Sequence, residues 1–140
     1  MTFQEAIDFM DNLFKTTWTG LGFDINNVKW DDVPGQKPTG EVTWARVIVR
    51  HASGNQSTLS SGTGIRRFRR TGLFMAQIFT PIGDGSVAEY SVSQSVVNAY
   101  QSAQNDNLWF RNVQMREVGS ADGAFAQTNV LADFIYDDVR

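Results

Sequence analysis

An α+β fold, with a largely antiparallel sheet and two helices packed on one face, is what this 140-residue sequence predicts. Three observations carry that expectation. Two segments place apolar residues at helical spacing behind capping-box signatures. Several others alternate apolar and polar residues with a period of two. Their order is helix, strands, helix, two strands, with no repeat and no linker between them, so residues 1–140 are expected to form one domain.

The first helix opens at Thr2 and Glu5, whose spacing lets each side chain satisfy a backbone N–H of the first turn. Phe3, Ile7, Met10 and Phe14 then recur every three or four residues, with Ala6 and Leu13 beside them, and Trp18 and Gly20 mark the end. Val28 and Trp30 suit a short strand before a loop forced by Pro34, Gly35, Pro38 and Gly40. Glu41–His51 alternates strictly and reads as a strand, and Ala52–Gly64 as a polar, glycine-rich exposed loop. From Arg66 to Phe79 a second long strand begins basic and ends apolar on both faces, which places its second half centrally in the sheet.

After the turn Pro81–Gly85, Ser86 and Glu89 repeat the capping-box spacing and open a helix running to about Ala103. Its buried stripe is Val92, Val96, Ala99, Tyr100 and Ala103, with Ser91, Ser93, Ser95, Asn98 and Ser102 expected on the solvent side. Leu108–Val118 reads as a strand in which Trp109, Val113 and Met115 share an apolar face. A turn at Gly119–Gly123 leads to a last strand, Ala124–Tyr136, followed by an acidic tail.

Composition excludes more than it suggests. The formal charge is −3 and the pI near 5.0, which speaks against a dedicated nucleic-acid binder. No cysteine is present, and His51 is the only histidine, so neither a thiolate nor a His-rich metal site can form. No apolar run approaches the length of a membrane span, and the acidic start lacks a signal-peptide n-region, so maturation in the cytosol is expected. The segment "GDGSVAE" could hold an anion at a helix N-terminus, but it has no P-loop lysine and Asp84 would repel phosphate. His51 has no nucleophile placed beside it by any motif, and no catalytic, cofactor-binding or metal residue is assigned.

What remains is "GIRRFRRTG", where Arg66, Arg67, Arg69 and Arg70 concentrate a third of the cationic residues. With Phe68 interleaved, the stretch could grip single-stranded nucleic acid by phosphate pairing and stacking. Guanidinium forks also clamp carboxylates across protein interfaces, and the chain offers Asp31, Asp32, Asp133, Asp137 and Asp138 as acceptors. Copies of the chain meeting arginine edge to acidic edge would make a heterologous contact able to close into a ring. The protein contact is the favoured reading on an acidic body, with the nucleic-acid module as the alternative.

Three stretches, "VTWARVIVRH", "STLSSGTGIRRFRRTGLFMAQIFTPIGDG" and "LWFRNVQMREVGSADGAFAQTNVLADFIYDD", together resemble the phage tail-terminator-like proteins of long-tailed bacteriophages, related to the lambda-type tail terminator. The elements carrying it are Trp44 and Arg46, Arg69 and Gly72, Phe79–Pro81 with Gly83 and Gly85, Val118–Gly119 with Asp122–Gly123, and Phe125 after the last turn. The resemblance implies a non-enzymatic virion protein without a cofactor. Such proteins form a ring, commonly a hexamer, that caps the tail tube at its head-proximal end, stops its polymerisation and offers the surface on which the head docks. It implies self-contacts, contacts to the tube protein and to head–tail connector proteins, no membrane, and at most sequence-independent contact with passing DNA, all assembled in the host cytoplasm.

Overall fold

The computed structural model describes residues 1–31, 42–56, 67–103, 105–121 and 124–139. Its α+β architecture is as the sequence predicts: a five-stranded, mostly antiparallel sheet with two helices on one face. Helix α1 spans Phe3–Gly20, and both halves of its capping box form, the Glu5 amide donating to Thr2 Oγ1 at 3.2 Å and the Thr2 amide to Glu5 Oε2 at 2.8 Å. Ala6, Met10, Phe14 and Trp18, one per turn, are fully buried, and the Trp18 indole donates to the Asp24 carbonyl at 2.9 Å. A single helical turn at Ile25–Asn27 leads into strand β1, Val28–Trp30.

Strands β2 (Trp44–Gln56) and β3 (Arg67–Pro81), helix α2 (Gly85–Gln101), and strands β4 (Leu108–Ala121) and β5 (Phe125–Val139) complete the chain. The strand order is β1-β2-β3-β5-β4; only β1 and β2 are parallel. Strand β3 is central, as its two apolar faces predict. Helix α2 carries the chain over one face from β3 to β4, and β5 returns between them. The main core lies under the helices, where Phe74, Ala76 and Ile78 of β3 meet Val130, Ala132, Phe134 and Tyr136 of β5 and the buried faces of α1 and α2. Tyr100 of α2 ties three elements together: its ring stacks on Phe74 of β3 at 4.3 Å and its hydroxyl donates to the Met10 carbonyl of α1 at 2.8 Å.

The structure departs from the sequence expectations at several elements. Strand β2 continues through Gln56, into the segment expected to be loop, because Phe68–Thr71 of β3 pair with Ser53–Gln56. Likewise β4 runs past Gly119 and β5 takes up the acidic tail. Ser93 is not on the solvent side of α2 but fully buried, its hydroxyl without a hydrogen-bond partner. The Ser86 side of the second capping box lies outside the described side chains; Glu89 Oε1 accepts from Thr128 Oγ1 at 2.5 Å. In β4 a bulge sets Asn112 and Val113 opposite Ala132, with Asn112 at φ 53° and its amide donating to Asp133 Oδ2 at 3.0 Å. One extra residue flips the side-chain alternation, so Trp109 does not share the face of Met115.

One carboxyl on α1 is out of balance. Burial, with Asp8 and Asp31 close by, pushes the Asp11 pKa from 3.8 up to about 6. The folded state therefore holds this proton over a range where the unfolded chain has lost it, and stability falls as the pH rises from about 4 to about 6. Discounted for the partial exposure of the carboxyl, Asp11→Asn is expected to stabilise the protein by about 1 kcal/mol at pH 7 and to have little effect below pH ~4. Urea unfolding at both pH values checks this; an equal gain at each would remove the titration from the explanation.

Candidate assembly surface

Among the described residues, no helix covers the second face of the sheet. Its cross-strand rows follow from the register. Ile48, Met75, Leu131 and Gln114 form one row; Arg50, Leu73, Asp133 and Arg111 form the next; Ile135 and Trp109 lie beyond. On the other side comes the row Lys29, Arg46, Gln77, Asn129 and Arg116. Aliphatic side chains thus make the floor, all half-buried, and cations line both margins. With Arg67 and Arg69, seven of the chain's twelve Lys and Arg project from this face, against Asp133 and Asp137. Trp109 is 45% exposed there, beside a cavity of about 270 Å³ lined by Arg69, Trp109, Phe110, Arg111 and Ile135.

One end of this face is closed by a small second core. Trp44 stacks on Phe79 at 4.1 Å, Phe125 meets Trp44 edge-on, and all three are buried. Arg46 extends over the Trp44 ring, 5.9 Å from its centroid. These are the aromatic positions on which the family resemblance leaned, brought together from three strands.

The arginine-rich strand end stands at the other end of the face. Because β3 pairs with β5 in antiparallel register, Arg69 lies opposite Asp137 and Phe68 opposite Asp138. Arg69 Nε donates to Asp137 Oδ1 at 3.2 Å, and Arg67 Nε stands 4.0 Å from Asp137 Oδ2. On the helix side, Arg70 Nη2 lies 3.8 Å from Asp138 Oδ2, while its guanidinium covers the Phe3 ring at 4.6 Å. The exposures differ: Asp137 and Asp138 keep 13% and 12% of their side-chain surface, Arg70 keeps 16%, but Arg67 and Arg69 keep about half. The acidic tail is therefore not solvated charge; it underlies the arginines of its own chain. Asp31 likewise pairs with Arg50. Of the residues expected at an interface, Arg67, Arg69, Arg70, Asp137 and Asp138 form this one cluster, Asp31 lies apart on the β1–β2 margin, and Arg66 and Asp32 fall outside the described residues.

His51 belongs to the packing beneath the arginines. Its Nε2 lies 2.7 Å from the Tyr136 hydroxyl, and Phe3 and Phe134 meet its ring edge-on. Burial first, then the nearby Arg70, lowers its pKa, and burial pushes the Tyr136 phenol up to about 12. A neutral imidazole against a protonated phenol is a structural pair. Among the described residues no three His, Asp or Glu side chains are placed to hold a metal ion, and no helix is long and apolar enough to cross a membrane.

The described chain is thus a helix-backed sheet whose other face is open and charged, and its fold recurs. One solved structure superposes with a TM-score of 0.58 over 92% of this chain and 94% of its own, at 17% sequence identity, a likeness of fold alone. No curated protein matches the chain. The sequence profile described as "Phage tail terminator protein" matches residues 14–132. The chain belongs to that family, which places it among the structural and assembly proteins of the bacteriophage tail, in contact with other tail or head proteins.

Proposed function

We propose that this protein forms a closed ring, expected to be a hexamer, that caps the end of the tail tube, stops its polymerisation and provides the head-docking surface. The observation that carries the reading is the uncovered sheet face: an aliphatic floor between cationic margins, in a chain of the tail terminator family. Such a face has the composition of a protein interface, apolar at its centre and polar at its rim. The work is geometric, with no covalent step and no cofactor, and the folded 140-residue chain is read as one domain throughout. The cell makes the protein in its cytoplasm and the virion carries it at the head-proximal end of the tail.

Within this reading Arg66, Arg67 and Arg69 meet a neighbouring subunit or the tube. The acceptors are not the neighbour's Asp137 and Asp138, which each copy engages itself. The half-exposed guanidiniums of Arg67 and Arg69 instead present their outer edges. Charge reversal here would set glutamates against a largely buried carboxylate and disturb folding, so glutamine substitutions are the cleaner variants.

The decisive experiment is negative-stain imaging of tails from phage lacking this protein. Overlong tails are the expected result; tails of normal length without heads would instead mark a head–tail joining protein. The basic face also suits a phosphate backbone, and that second reading predicts binding to single-stranded DNA that weakens steeply with salt. Its aliphatic floor offers such a strand little, and no gel retardation at low salt is expected.

A further inference from the structure

The open face has a counterpart on the same chain. At the start of α2, Val87 is 80% exposed, and Tyr90, one turn on, is 46% exposed. Ile82, half exposed, lines a cavity of about 320 Å³ with Tyr90, Glu89 and Glu117. Glu89 is held in place, accepting from Thr128, and Glu117 lines the same cavity as Tyr90. The result is an apolar knob backed by negative charge, on the helix-covered side of the sheet. The pocket around Trp109, Ile135, Arg69 and Arg111 is its inverse, an apolar hollow edged by positive charge on the open side.

We propose that the α2 knob of one copy seats in the open face of the next, Val87 and Tyr90 against Trp109 and Ile135, with Glu89 and Glu117 facing Arg111 and Arg69. The proposal rests on the ring reading and names its two contact surfaces. Three features favour a second copy as the occupant. Charge and apolar character match on both sides, which steers and orients such contacts. An isologous contact through the open face would oppose arginines to arginines. The surfaces also lie on opposite faces and toward opposite ends of the sheet: Ala126 lines the knob's cavity and Ile135 the pocket, nine residues apart on β5, or roughly 30 Å of strand. One copy can therefore use both at once, the condition for a heterologous ring.

The absence of cysteine makes the test clean. Val87→Cys and Ile135→Cys, each at a position with exposed surface, are incorporated together into phage tails, and the purified tails are mildly oxidised. Disulfide-linked dimers should appear in tails carrying both variants, and tails built from either variant alone should yield only monomers. A chain bearing both substitutions should give a ladder of higher species. Tails that hold the protein in normal amount but give no cross-link would overturn the contact, as would dimers from Val87→Cys alone, which require a symmetric interface. Failure of the ring reading itself is seen separately: native mass spectrometry of the protein released from tails would find monomers.

Discussion

Gly72→Ala should lower the stability of the folded chain by about 3 kcal/mol, the upper end of the cost of overpacking. Gly72 pairs with His51 on one side and Phe134 on the other, in the middle of the sheet. The Phe134 ring lies across the space a Cβ would take, its Cε1 2.8 Å away, and the Arg50 carbonyl oxygen stands still closer. A carbonyl fixed in a β ladder cannot swing aside, and Phe134 is fully buried and stacked on Tyr136. The added methyl therefore has nowhere to go unless strands β2 and β3 part beside their bulge. A fall in Tm on the order of 10 °C is expected by circular dichroism. A variant melting with the parent would mean that the close approach of Phe134 is not maintained in solution.

Tyr100→Ala should cost about 4 kcal/mol, and Tyr100→Phe about 1 kcal/mol. The ring supplies most of the difference: it is 1% exposed, stacks on Phe74 and meets Phe110 edge-on at 5.1 Å, so its removal opens a cavity where α1, α2 and the sheet converge. The hydroxyl contributes one hydrogen bond, to a helical carbonyl. Against a total stability of roughly 5–15 kcal/mol for a domain, the alanine variant approaches unfolding and the phenylalanine variant does not. Urea denaturation separates them; equal losses would show that the hydroxyl, not the ring, carries the junction.

The parts legible in the sequence were those governed by local rules. The capping box at Thr2 and Glu5, the four-residue spacing of α1, the alternation of Trp44–Val49 and the two-sided apolar half of β3 each declare themselves within a few residues. What was hidden depends on partners distant in sequence. Ala52–Gln56 looks like loop and becomes strand because β3 extends beside it, tertiary pairing overriding propensity. Trp109 changes face because one residue is inserted at Asn112, and nothing local marks it except an asparagine, a residue that tolerates positive φ. The arginine cluster was visible, but its engagement by Asp137 and Asp138 is a matter of β3–β5 register, which no single segment encodes. Asp137 and Asp138 point to opposite sides of the extended chain, and each meets an arginine there, Arg69 on one side and Arg70 on the other.

Strand β4 forms the outer edge of the sheet, and such edges invite extended chains to add on. Here the irregularities at Arg111/Gln114 and Glu117/Gly119 break the register into runs of no more than four residues, Leu108–Arg111 and Gln114–Glu117 being the longest. An incoming strand would lose its footing after one short run, so end-to-end fibre growth from this border is disfavoured. A protein whose family is named for ending the growth of another polymer is thus itself a poor seed for one.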